Sequence, residues 1–183
     1  MIFKKIKCRF NSFNFRNKLG RHGKKVYVSC YNTFNGLRSV TIGNGFYAAD
    51  GLWLETYKLH GEKHYSPEIF IGNNVHLSRN CHIGAINKII IEDNVLIGSN
   101  VLINDHAHGE SVLSKTPRVE MALVSKGPIV IKKNVWLGDN VCVMPNVTIG
   151  ENCIIGANAV VTKDIPENSV AVGIPARVIK SLK

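Results

Sequence analysis

The first 49 residues contain no aspartate or glutamate, and nowhere does the chain hold a long uninterrupted apolar run. Ten Lys or Arg share that acid-free stretch, while the remaining residues carry thirteen charges of each sign. The formal net charge of +10 is therefore a property of the N-terminal segment and not of the body. The missing apolar run argues against a membrane-spanning helix, which needs ~20 such residues in succession. No secretory leader is expected either, because charge interrupts the apolar residues after the early lysines every two or three positions. The five cysteines (Cys8, Cys30, Cys81, Cys142, Cys153) are odd in number, widely spaced and form no CxxC. That pattern argues against a zinc site or a disulfide framework, and predicts reduced thiols in a cytosolic protein. No nucleic-acid motif accompanies the basic charge, so no nucleic-acid partner is expected.

What is present is ordinary in amount: 183 residues, 45% hydrophobic and 20% charged, enough for one sizeable core. The basic segment (MIFKKIKCRFNSFNFRNKLGRHGKK) interleaves Lys and Arg with Phe and Ile. Such a composition suits either a solvated, partly helical lead-in or contact with an anionic membrane surface.

The strongest signal is a count of six. Ile131, Leu137, Val143, Ile149, Ile155 and Val161 are evenly spaced, and two places before the last five stand Val135, Val141, Val147, Cys153 and Ala159. The same beat runs through Ile71, Leu77 and Ile83 and again through Ile91, Ile97 and Ile103. A period of six fits neither a helix nor a simple alternating strand. It fits short strands joined by tight turns, the hexapeptide pattern of a parallel β-helix, with coils stacked at ~4.8 Å. The fold class expected is thus all-β, with three sixes to a triangular coil: 71/77/83, 91/97/103, 131/137/143 and 149/155/161. Counting does not supply the hand of the coil. A weaker rung shows at Val40–Ile42, and residues 58–68 read as a smaller polar excursion. The expected organisation is a basic segment over 1–39, a β-helix over 40–172 with a loop at 104–128, and a turn plus short capping helix over 173–183.

In such a coil the residue before each inward aliphatic points outward. Those positions include Phe70, Leu96, Leu102, Trp136, Ile154 and Val160, too apolar a set to leave in water, which predicts a homo-oligomer. Trp136 could serve as an interface aromatic or as a flat platform beside a ligand cleft.

The count breaks after Ile103: 28 residues separate it from Ile131 where six would do, and the extruded loop opens with NDHAHG. Long loops on compact scaffolds are disproportionately functional. An imidazole of His106 or His108 suits the work of a general base, with Asp105 or Glu120 to hold its other nitrogen. Two other chemistries compete. The histidines could share a metal with His76 or His82, or a cysteine could act as nucleophile, although Cys142 and Cys153 fall in repeat slots where small packing residues belong.

The runs IEDNVLIGSNVLINDHAHG and SKGPIVIKKNVWLGDNVCVMPNVTIGENCIIGANAVVTKDIPENSVAVGIPARVIK resemble the hexapeptide-repeat, left-handed parallel β-helix acyltransferases, with a weaker match at ADGLWLE. The likeness is greatest to the maltose/galactoside acetyltransferase group, in particular to O-acetyltransferases of bacterial surface polysaccharides. It implies a left-handed coil, a homotrimer with active sites between subunits, acetyl-CoA as donor and a sugar hydroxyl as acceptor; the H-x-H spacing of the loop histidines argues against a metal. It also implies His106 as the catalytic base. On the donor side the matching positions are Trp136, Asp139 (where the galactoside enzyme has Ser), Ala157, Thr162, Lys163, Arg177 and Lys180. Asn80, His82, Asp105 and His108 are the acceptor-side candidates. N-acetylation of an amino sugar, or a non-enzymatic sugar-binding scaffold, are the alternatives.

Overall fold

The computed structural model describes residues 2–110, 113 and 115–182. Three parallel sheets form the sides of a prism, and the chain visits them in rotation. The first side holds Arg21–His22, Val40–Ile42, Glu68–Ile71, Lys88–Ile91, Ile129–Ile131 and Thr148–Ile149. On the second lie Tyr27–Val28, Tyr47–Ala48, His76–Leu77, Leu96–Ile97, Trp136–Leu137, Ile154–Ile155 and Ser169–Val172. The third holds Thr33–Asn35, Trp53–Thr56, His82–Ala85, Leu102–Asn104, Cys142–Val143 and Val160–Val161. This is a left-handed parallel β-helix.

The six-residue beat sets the register directly. Ile71, Ile91, Ile131 and Ile149 stack on one side, Leu77, Ile97, Leu137 and Ile155 on the next, and Ile83, Ile103, Val143 and Val161 on the third. All twelve side chains are buried. At about 1.5–3 kcal/mol for each fully buried aliphatic, this column is the main source of stability. The outward partners alternate with it: Phe70, Leu96 and Trp136 are 40–49% exposed.

The corners explain the asparagines. Ten of them, including Asn74, Asn80, Asn134 and Asn140, have φ between +53° and +63°, the left-handed region that Asn tolerates better than other non-glycine residues. Their amides form ladders from coil to coil, one through Asn74, Asn94, Asn134, Asn152 and Asn168, another through Asn80, Asn100, Asn140 and Asn158. Asn134→Ala should cost about 2 kcal/mol, from the left-handed backbone and two lost ladder bonds. Asn134→Gly should recover roughly half of that. Urea midpoints of the two variants check it.

Three expectations need correction. The solenoid begins at Arg21 and not at 40, because Arg21–His22, Tyr27–Val28 and Thr33–Asn35 make a full coil paired with the one above. The C-terminal segment is a strand, Arg177–Ser181, antiparallel to Ser169–Val172, and not a capping helix. The turn at 173–176 returns the chain beside an open sheet edge whose backbone groups need partners, and β-branched Val178 and Ile179 suit that role. Finally, Cys8 and Cys30 are joined as a disulfide, so they are not two of five free thiols.

The helix Ile2–Lys18 caps the first coil. Cys8, Ser12, Phe15 and Leu19 face the solenoid and are buried, with Phe15 tilted against Phe34 at 4.6 Å. Ser12 Oγ donates to Val28 O at 2.9 Å and Asn11 Nδ2 to Ser29 O at 2.6 Å.

Candidate active site

The 104–128 loop leaves the third side of the prism at Asn104, and its first residue outside the strand is tied down at once. Asp105 N–H donates to Gly84 O, and its fully buried carboxylate accepts from Ile86 N–H and Asn87 N–H, both at 2.9 Å. Asp105 thereby stitches the loop to the preceding coil. The same carboxylate lies 3.0 Å from His106 Nδ1. With Asp105 accepting hydrogen bonds, the imidazole hydrogen belongs on Nδ1, and the lone pair falls on Nε2. His106 has 9% of its side chain exposed. Asn104 Oδ1 is the sole buried side-chain N or O without a partner among the described residues, so the unpaired Nε2 of His106 reaches the surface.

Around His106 stands a cluster the hexapeptide count did not point to. The strand Trp53–Thr56 turns Trp53 and Glu55 outward, and Tyr57 follows. Glu55, 5% exposed, accepts from Trp53 Nε1 at 2.7 Å and from the Tyr57 hydroxyl at 2.6 Å, both on Oε2, while Oε1 faces His82 Nε2 at 2.9 Å. Burial, reinforced by Glu55, pushes the Tyr57 hydroxyl up to about 12, so it stays protonated as a donor. Trp53 stacks on His82 with centroids 4.2 Å apart, and Tyr57 meets His106 edge-on at 6.1 Å. Gly84 permits the crowding: a Cβ there would lie 2.8 Å from Asn104 Oδ1, 3.4 Å from His82 Nε2 and 3.5 Å from His106 Cε1. The motif ADGLWLE carried this cluster in sequence, but its Glu had no partner identifiable by spacing.

The other candidates fall in separate places. His108 is exposed, pairs with Leu123 in a short hairpin within the loop, and meets His60 edge-on at 5.5 Å. His60 belongs to the smaller excursion, whose Tyr65 hydroxyl donates to Leu123 O, so the two excursions pack together. Glu120 is exposed in the turn Arg118–Glu120. Asn80 spends its amide on the corner ladder, and Asp139 accepts from Ser99 N–H at 2.6 Å. Trp136 lies on the second side of the prism, in an outward row that runs Trp136, Ile154, Val170, Lys180 across neighbouring strands. Ala157 sits at the next corner, and a Cβ on Gly138 would lie 2.7 Å from its N. Thr162 and Lys163 are exposed after the last strand of the third side, and Arg177 is exposed on the final strand.

Among the described residues no group of three or more His, Cys, Asp and Glu is arranged to hold a metal ion. The thiols are poor nucleophile candidates. Burial raises Cys153 above the usual thiol range and carries Cys81 to about 11, while Cys142 sits outward between Leu102 and Val160.

A triangular solenoid with an extruded loop and a carboxylate-held imidazole at its root defines the class as a hexapeptide-repeat transferase. The profile of the bacterial transferase hexapeptide (six repeats) matches residues 128–163, and that of the hexapeptide repeat of succinyl-transferase matches 88–104. WbbJ of Escherichia coli K12, named for lipopolysaccharide biosynthesis O-acetyl transfer, is 34% identical over 87% of this chain and 80% of its own length. The galactoside O-acetyltransferase of the same organism is 40% identical over 118 residues, and the chain spans 56% of that enzyme's length. Its crystal structure with coenzyme A superposes with a TM-score of 0.61, covering 92% of this chain and 68% of that one at 30% identity. A hexapeptide-repeat acetyltransferase of Vibrio cholerae complexed with acetyl coenzyme A gives 0.66 at 25% identity, covering 96% and 78%. The chain belongs to the hexapeptide-repeat acyltransferase family and is a CoA-dependent acyltransferase.

Proposed function

We propose that this enzyme acetylates a hydroxyl of a sugar, a cell-surface polysaccharide or its precursor, with acetyl-CoA as donor and His106 as general base. The observation that carries the reading is the His106–Asp105 pair, a tautomer-fixed imidazole whose Nε2 has no partner among the described residues, at the point where the coil opens. Acetyl-CoA supplies an acyl carbon activated as a thioester. As the sugar oxygen bonds to that carbon, Nε2 takes the hydroxyl proton and then delivers it to the departing sulfur. Asp105 goes on accepting from Nδ1 and stabilises the imidazolium between the two steps. The names of the two Escherichia coli relatives support a hydroxyl acceptor.

His106 opens off the third side and Trp136 stands on the second, so we infer that one chain contributes the base and a neighbouring chain the donor row. A homotrimer closes such a site three times and covers the apolar outward rows. In it Trp136 flanks the pantetheine arm, and Ala157 lets the arm run close to the backbone. Thr162, Lys163, Arg177 and Lys180 supply donors and charge for the nucleotide phosphates.

The test is product analysis. Acetyl-CoA is offered with methyl glycosides and with amino sugars, and acetylated products are treated with hydroxylamine, which cleaves esters and spares amides. Labile mono-acetylated glycosides are expected; stable amides alone would establish N-acetylation. Absence of acetyl-CoA binding by calorimetry would leave a scaffold.

We further infer that the enzyme works beside a membrane surface, from the exposed face of the N-terminal helix. Opposite its buried face stand Phe3, Ile6, Phe10 and Phe13, 53–88% exposed at helical spacing and flanked by the exposed Lys7 and Arg9. An apolar row framed by cations suits the surface of an anionic bilayer. The enzyme is expected to sediment with phosphatidylglycerol-containing vesicles but not with pure phosphatidylcholine, and Phe10→Ser/Phe13→Ser to release it. Equal recovery of wild type and variant overturns this.

A further inference from the structure

Beside the His106–Asp105 pair lies a second histidine–carboxylate pair with no part in the proton transfer above. Glu55, Gly84 and Asn104 sit side by side on neighbouring strands of the third side, and Trp53, His82 and Leu102 form the adjoining row. Burying a carboxylate is costly even when it is paired, and an apolar residue at such a position often leaves a protein no less stable. The outward row beyond it uses Leu102, Cys142 and Val160, without any ion. Glu55 therefore calls for a reason other than packing.

Its chemistry supplies one. Three donors converge on its two oxygens, so Glu55 acts as an acceptor toward each of them. The hydrogen between Glu55 and His82 then belongs on Nε2, and Nδ1 of His82 carries a lone pair. Nδ1 has no partner among the described residues and is not among the buried polar atoms, so it faces the surface. His82 Nε2 and His106 Cε1 each lie within 3.5 Å of one point above Gly84, so the two rings are no more than about 7 Å apart. Two imidazoles thus stand close together, each with an acceptor nitrogen that has no partner among the described residues. Among the described residues no lysine or arginine takes part in the cluster, which disfavours a carboxylate or phosphate there.

We infer that His82, held by Glu55, binds a second hydroxyl of the acceptor, next to the one that His106 deprotonates. Glu55 is a positioning residue and His82 reads the acceptor. The acceptor class is a ring bearing two neighbouring free hydroxyls, and this inference rests on the reading of His106 as base toward a sugar hydroxyl.

Steady-state kinetics on the full chain test it, with acetyl-CoA as donor and methyl glycosides of galactose, glucose and mannose, then monodeoxy analogues of the best acceptor. Glu55→Gln and His82→Asn should each raise acceptor KM about 10–100-fold, with acetyl-CoA KM and Kd unchanged. One monodeoxy analogue should show the same penalty on wild type and no further penalty on His82→Asn. An unchanged acceptor KM in Glu55→Gln, or an equal loss of acetyl-CoA affinity, overturns the inference and leaves the transferase reading intact. Should the variants fold poorly, the wild type decides: if every monodeoxy analogue lacking a neighbouring hydroxyl is used as well as its parent, the inference fails. A wild type that acetylates no glycoside sinks the reading on which the inference rests.

Discussion

Replacing His106 by alanine is expected to lower kcat by about 10²–10⁴-fold while acetyl-CoA binds with near wild-type affinity. The size follows from what general-base help supplies, and the remaining rate comes from holding the two substrates together. The selectivity follows from the fold. His106 leaves the third side of the prism at the root of the loop, whereas Trp136 and Lys180 share an outward row on the second side. Calorimetric titration of acetyl-CoA beside single-turnover acetylation separates the effects. Joint loss of binding and turnover would make His106 a structural residue. His108→Ala is the control: that ring is exposed and hydrogen-bonds no carboxylate among the described residues, so its variant should keep most activity.

Asp105→Ala is expected to weaken both fold and catalysis. The carboxylate is fully buried and accepts from Ile86 N–H and Asn87 N–H as well as facing His106. Removing it leaves two backbone donors unpaired, at about 1–3 kcal/mol each, so a loss on the order of 2–6 kcal/mol is expected in urea unfolding. Turnover of the folded fraction should fall about 10²-fold or more, because the imidazole loses its fixed tautomer. The two residues act as one unit, so Asp105→Ala/His106→Ala should be no slower than His106→Ala alone. Additive losses would mean that Asp105 serves catalysis by another route.

The sequence showed the solenoid wherever the six-beat fell on Ile, Leu or Val. The four triads from Ile71 to Val161 stack as counted. The beat continues below them, through Ile42, Ala48 and Leu54 and through His22, Val28 and Phe34, and those coils form too. The first of these fell within the expected 40–172 span, where only its Val40–Ile42 rung showed; the second escaped the count because His22 and Phe34 do not look like a repeated aliphatic. The partner of His106 was narrowed in sequence to two carboxylates, and only the fold brings one of them, Asp105, to its nitrogen. Glu55, Trp53 and Tyr57 were less visible. They act through contacts with residues 27 to 49 positions away, and in a solenoid such distances shrink to one or two strand spacings.

The asparagine ladder passes from Asn94 straight to Asn134 across the long excursion, with the same bond it makes between coils that have no insertion. The barrel's masonry thus takes no notice of how much chain hangs from that one course. New lengths and chemistries can be spliced in beyond His108 without relaying the bricks, because the course above the excursion is already bonded to the course below it.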